Sequence, residues 1–122
     1  MEFSYKGALL TMAAANFPQL VDFYRQLLQQ DPNPYLSEKY AEFQLQSLRL
    51  GIFQPRADRR GEFAASTPSS LSLCLEVSNL KAAIAHLQSL GWPPPGEILQ
   101  ASHGREIYAY DPEGNRLILH EE

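Results

Sequence analysis

Two short runs of the chain alternate apolar with polar or small residues, and each then changes to a longer period. Leu10, Met12 and Ala14 stand at every second position of the first run, and Leu73, Leu75 and Val77 do so in the second. That spacing predicts a strand with one apolar face. Beyond Asn16 the apolar positions are Phe17, Leu20, Val21, Tyr24, Leu27 and Leu28, and beyond Asn79 they are Leu80, Ala83, Ile84, Leu87 and Leu90. Both sets line one face of a helix. The two asparagines lie 79 − 16 = 63 residues apart, as do the strands before them, so the chain carries an internal repeat. Asn16 and Asn79 are the expected N-caps, because their short side chains accept from first-turn amides that lack an intrahelical partner. Pro18 is tolerated in that turn, and Gly91 is expected to end the second helix in a left-handed conformation.

Each repeat ends in further strands. Tyr40 to Gln46 and Leu48 to Phe53 read as two strands joined at Ser47. Glu106 to Tyr110 and Arg116 to His120 flank Asp111-Pro112-Glu113-Gly114-Asn115, a strong turn signal. Leu50-Gly51-Ile52 corresponds to Leu117-Ile118-Leu119, and a short strand is expected at Glu97 to Ala101 after the stiff Trp92-Pro93-Pro94-Pro95-Gly96 connection. Gln54 to Ser70 is rich in Arg, Ala, Ser and Pro and reads as a linker. Residues 1–122 are thus expected to form one domain, with module one over about 1–55, a linker over about 56–69 and module two over about 70–122.

Composition narrows the chemistry. A chain of 122 residues buries roughly two-thirds of its unfolded surface and needs no covalent staples. With Cys74 its single cysteine, it can form no internal disulfide. Ten Lys and Arg against 14 Asp and Glu give a net charge of −4, which argues against a general nucleic-acid binder. Arg56, Arg59 and Arg60 are the one basic cluster, and they read as a solvated loop. Leu9-Leu10-Thr11-Met12 is too short to span a bilayer, and no basic segment leads into a long apolar run. A cytoplasmic location, with no membrane or nucleic-acid partner, is the expectation.

Three stretches resemble the vicinal oxygen chelate superfamily, which includes glyoxalase I, bleomycin-resistance proteins and extradiol dioxygenases. They are Asn16-Phe17-Pro18-Gln19-Leu20-Val21-Asp22-Phe23-Tyr24-Arg25-Gln26-Leu27-Leu28, then Val77-Ser78-Asn79-Leu80 with Ile84, Leu87 and Leu90-Gly91, and most specifically Tyr108-Ala109-Tyr110-Asp111-Pro112-Glu113-Gly114-Asn115-Arg116-Leu117-Ile118-Leu119. The resemblance implies an α+β fold, with two βαβββ modules forming a curved mixed sheet around a cavity. In the family's enzymes a divalent ion in that cavity polarises substrate oxygens. Its ligands are His, Glu or Gln from the first and fourth strands of each module. Carried over by residue, those positions fall at Leu9, Gly51, Ser72 and Ile118. None is an ordinary metal ligand, and a register slip of one residue offers no better set. The resemblance therefore implies a member without the usual metal centre, and no cofactor is expected.

Alternation assigns the concave face. If Leu10, Met12, Leu50, Ile52, Leu73, Leu75, Leu117 and Leu119 pack on the helices, the candidate ligand-binding residues opposite are Thr11, Arg49, Phe53, Ser72, Cys74, Glu76, Arg116 and His120. Polar groups converging within an apolar concavity suit a small organic ligand. Arg49 and Arg116 could hold an anion by forked hydrogen bonds, or else pair with Glu76 or lie at strand edges. Tyr40, Phe43, Phe53, Phe63, Trp92, Tyr108 and Tyr110 supply flat rings that serve either a planar ligand or the core. Cys74 reads as a small buried hydrophobe, Glu76 as a solvated carboxylate, and His86 and His103 as surface residues. His120 and Glu121 are adjacent in a strand and point to opposite faces, which opposes their sharing an ion. No catalytic residue is assigned. Three readings stand: a metal-free binder of a small molecule, an enzyme of non-metal or atypical-metal chemistry acting through Glu76, His120 or Cys74, and a regulatory or interaction module whose sheet face binds another chain or a second copy of itself.

Overall fold

The computed structural model describes residues 3–64 and 69–122. The chain divides into two compact units, Met1–Ala64 and Ala65–Glu122.

In the first unit the order is β1 (Leu10–Ala13), α1 (Phe17–Leu28), β2 (Tyr35–Leu36), β3 (Tyr40–Leu45) and β4 (Leu48–Phe53). The sheet runs β1-β4-β3-β2, with β1 and β4 parallel and the other pairs antiparallel. The second unit repeats it as β5 (Leu73–Glu76), α2 (Leu80–Ser89), β6 (Leu99–Ala101), β7 (Gly104–Tyr110) and β8 (Arg116–Glu121), in the order β5-β8-β7-β6. Each unit is a βαβββ module, so the architecture is α+β with two four-stranded mixed sheets.

The helix ends follow from the residues expected there. Asn16 Oδ1 accepts from the Gln19 amide at 3.2 Å, and Asn79 Oδ1 accepts from the Ala82 amide at 2.9 Å. Gly91, at φ 87°, closes α2: its amide donates to the Gln88 carbonyl and the Trp92 amide to the Leu87 carbonyl, both at 3.0 Å. In the β7–β8 turn, Asp111 is buried and its carboxylate accepts from the Glu113 amide, the Asn115 amide and the Asn115 side chain. That local bonding is the reason an Asp opens this turn.

Register sorts the side chains by face. In the first unit Met12, Ala41, Phe43, Leu50 and Ile52 are buried with Phe17, Leu20, Val21 and Tyr24 of α1. In the second, Leu73, Ile107, Ala109, Leu117 and Leu119 are buried with Leu80 and Leu87 of α2. Full burial of each large apolar side chain stabilises by about 1.5–3 kcal/mol, and this is what holds the helices to one side of each sheet.

The structure corrects one strand and adds two elements. Tyr35 and Leu36 form a strand that periodicity cannot show, since it has two residues, both exposed. The strand expected over Glu97 to Ala101 is confined to Leu99–Ala101. The linker contains a 3-10 helix over Ala57–Phe63, and Phe63 stacks edge-on against Phe53 at 5.1 Å; its 65–68 portion lies outside the described residues. Among the described residues no helix is long and apolar enough to cross a membrane.

Candidate functional site

The face of each sheet turned away from its helix carries the chemistry. In the first unit Thr11 is registered with Gly51 and Gly51 with Glu42, while Ala13 is registered with Phe53 and Phe53 with Tyr40. Arg49 lies one row away, opposite Gln44. Thr11, Arg49 and Phe53 therefore share the face expected of them. The residue that organises it is one the sequence reading passed over, Glu42.

Glu42 is buried and accepts from the Tyr40 hydroxyl at 2.7 Å, Gln44 Nε2 at 2.9 Å and Arg49 Nη1 at 3.5 Å. The Gln44 and Tyr40 hydrogen bonds hold its carboxyl below the usual glutamate range. Burial, with the hydrogen bond to Glu42, pushes the Tyr40 hydroxyl up in turn. Arg49 thus has an ion-pair partner within its own unit, Glu42. Its charge is partly neutralised before any ligand arrives.

The four positions that the resemblance marks for metal ligands carry residues that do not fit an ion. Leu9 and Ile118 offer no donor. Ser72 Oγ accepts from Arg116 Nη1 at 3.0 Å. At Gly51 an added Cβ would meet the Tyr40 hydroxyl at 2.7 Å, so the room a ligand side chain would need is filled by an aromatic ring.

In the second unit three rows cross the open face. Arg116 is opposite Tyr110, Ile118 lies between Cys74 and Tyr108, and His120 lies between Glu76 and Glu106. Arg116 Nη1 also donates to the Ser69 carbonyl at 2.9 Å. Ser72, Cys74, Glu76, Arg116 and His120 thus belong to one surface. Cys74 is exposed rather than buried, because β5 is an edge strand and its thiol sits on the uncovered face. Desolvation, followed by the charges of Glu76 and Glu106, pushes that thiol up and away from the nucleophilic form.

His120 is buried despite facing away from the helix, with 5% of its surface exposed. The His103 ring lies 4.6 Å from it, centroid to centroid, and His120 Nε2 donates to the His103 carbonyl at 3.2 Å. One ligand atom each from His103, Glu106 and His120 falls within 4.8 Å of the others. His103 is on the surface, as expected, and Glu106 is the member of the trio that the sequence analysis does not single out. The signal was available: the turn at Asp111–Asn115 fixes Tyr110 opposite Arg116, and counting back from there brings Glu106 opposite His120. Glu121 points the other way, accepting from the Leu80 amide at 2.6 Å and from Arg105 Nη2 at 2.9 Å, as alternation requires. Those two bonds, the Leu80 amide first, hold its carboxyl below the usual range.

No family model and no curated protein matches the chain. Solved structures do. A glyoxalase/bleomycin resistance protein from Catenulispora acidiphila aligns over 94% of this chain and 96% of its own, with a TM-score of 0.70 and 22% identity. Lactoylglutathione lyase from Agrobacterium tumefaciens aligns over 97% of this chain and 96% of its own, at 0.68 and 16% identity. The genomically encoded fosfomycin resistance protein FosX from Listeria monocytogenes aligns over 98% and 95%, at 0.77 and 14% identity. With its two βαβββ modules, the chain has the fold of these glyoxalase/bleomycin-resistance proteins.

Proposed function

We propose that this protein binds a small organic molecule, anionic and planar, against an open sheet face, without the metal centre usual for its fold. The observation that carries the reading is the pairing of functions on the second unit's face. Arg116 lies one row from Tyr108, a residue 38% exposed, and Ile118 is the cross-strand partner of that tyrosine. A guanidinium recognises a carboxylate or phosphate by a forked contact, and an exposed ring beside it takes a flat apolar body. Ser72, Cys74, Glu76 and His120 complete this surface. Thr11, Arg49 and Phe53 are the corresponding candidates in the first unit, where Arg49 is the weaker anion anchor because Glu42 already opposes its charge.

The names of proteins with the same fold support the ligand class: bleomycin resistance, fosfomycin resistance and lactoylglutathione lyase. The lyase and dioxygenase reading has less support, since Leu9, Gly51, Ser72 and Ile118 supply no donor set at the places that chemistry uses.

A thermal-shift series with phenyl phosphate, benzoate and methylphosphonate tests the proposal. Phenyl phosphate, which combines both features, is expected to raise the melting temperature most. Arg116→Ala is expected to weaken it about tenfold or more. Equal response of the wild type and Arg116→Ala, or none to any probe, would overturn the reading.

A further inference from the structure

We propose that His103, Glu106 and His120 form a binding site for a divalent first-row transition metal, at positions none of which is a metal position of the fold. The inference does not rest on the organic-ligand reading. Its basis is convergence: one ligand atom from each of the three lies within 4.8 Å of the other two.

The backbone holds the three residues together. Glu106 and His120 are direct partners in the β7–β8 ladder. His103 is brought over them by the turn between β6 and β7, which closes through Gly104 at φ 140°. A Cβ on Gly104 would collide with the Glu121 carbonyl, so only glycine permits this approach.

The hydrogen bonds of the two imidazoles leave each ring one nitrogen for an ion. A carbonyl oxygen only accepts, so His120 Nε2 is the donor to the His103 carbonyl, and Nδ1 is the ring nitrogen left to ligate an ion. His103 Nδ1 lies 3.2 Å from Ser102 Oγ, a contact that leaves Nε2 for an ion. His103 is exposed and Glu106 half-buried, which gives an ion access.

Two imidazole nitrogens and one carboxylate oxygen suit Zn²⁺, Co²⁺, Ni²⁺ or Fe²⁺, and not Ca²⁺ or Mg²⁺, which take oxygen. Ligands on a tetrahedral zinc lie about 3.4 Å apart. Closing the trio around an ion therefore requires a shift of about 1.4 Å at most, which the exposed His103 turn supplies. Three protein ligands leave a position open for water or an outside donor.

Calorimetric titration of the full chain with Zn²⁺, paired with the visible spectrum of the Co²⁺ form, tests the site. One ion per chain is expected. His103→Gln and Glu106→Gln should each weaken binding about tenfold or more and alter the Co²⁺ spectrum, whereas Cys74→Ser should retain binding. His103 lies on an exposed turn, so its variant keeps the test clear of the folding cost that replacing buried His120 carries. No saturable uptake at submillimolar metal would overturn the proposal. Stoichiometric uptake unchanged in both His103→Gln and Glu106→Gln would do so as well, because the ion would then sit elsewhere.

Discussion

Tyr40 lies over Gly51: a Cβ on the glycine would meet the tyrosine hydroxyl at 2.7 Å and two of its ring carbons at 3.1 and 3.2 Å. The same hydroxyl donates to Glu42, the cross-strand partner of Gly51. A position that the resemblance marks for a metal ligand is here part of a tyrosine–glutamate–arginine cluster.

Gly51→Ala must displace the Tyr40 ring and with it the bond to Glu42. A loss of about 1–3 kcal/mol is expected from such crowding. Tyr40→Phe removes the hydroxyl alone and should cost about 1 kcal/mol. Because both act on one contact, the double variant should lose less than the two single losses together. Urea denaturation of the four proteins checks this, and strict additivity would show that the ring and the glycine are not coupled.

The depressed carboxyl of Glu42 makes stability depend on acid. Its hydrogen bonds from Gln44 and Tyr40 favour the ionised form in the folded chain. The resulting stabilisation is present above the unfolded glutamate value of about 4.3 and is lost as pH falls through the lower folded value. Glu121 contributes in the same direction through the Leu80 amide and Arg105. Stability measured from pH 6 down to pH 2 should fall less steeply below about pH 4 in Glu42→Gln than in the wild type. An identical slope would remove Glu42 from the account.

The strands, helices and caps of the repeat were legible because each is a local pattern. Alternation shows Leu73 and Leu75 without reference to any partner, and Asn79 announces the helix beside it. What stayed hidden depends on pairing. Tyr35–Leu36 is too short to alternate. Alternation fixes faces on the first and last strand of each module, whereas the orientation of Tyr40, Glu42 and Gln44 on β3, and of Glu106 on β7, follows only from register. Antiparallel register set by the Ser47 and Asp111–Asn115 turns places Glu42 beside Gly51 and Glu106 beside His120. His103 belongs to neither pattern, since a turn residue has no period to reveal where it points.

The helix caps answer each other across the repeat. Asn16→Ala and Asn79→Ala should each cost about 1 kcal/mol, since each removes the acceptor for one first-turn amide. The Glu121 carboxylate serves a different amide, that of Leu80, so it does not substitute for Asn79. Chemical denaturation should give comparable losses for the two variants. A silent Asn79→Ala would mean that Glu121 carries the capping of α2 alone.

Cys74 should be slow to alkylate despite its exposure. Desolvation and the charges of Glu76 and Glu106 oppose its thiolate, and the thiolate is the reactive species. The iodoacetamide reaction should show a midpoint above that of an ordinary thiol, and Glu76→Gln and Glu106→Gln should each move it down. A midpoint below the ordinary value would make Cys74 a nucleophile after all.

The open sheet face of the second unit is the proposed ligand surface. Amide chemical-shift mapping of the isotope-labelled chain during titration with phenyl phosphate tests it most directly. The account predicts saturable shifts centred on Ser72, Cys74, Tyr108, Arg116 and Ile118, with the outer face of α2 at Lys81 and Ala85 unmoved. Shifts confined to the helix, or none at saturating probe, would contradict it.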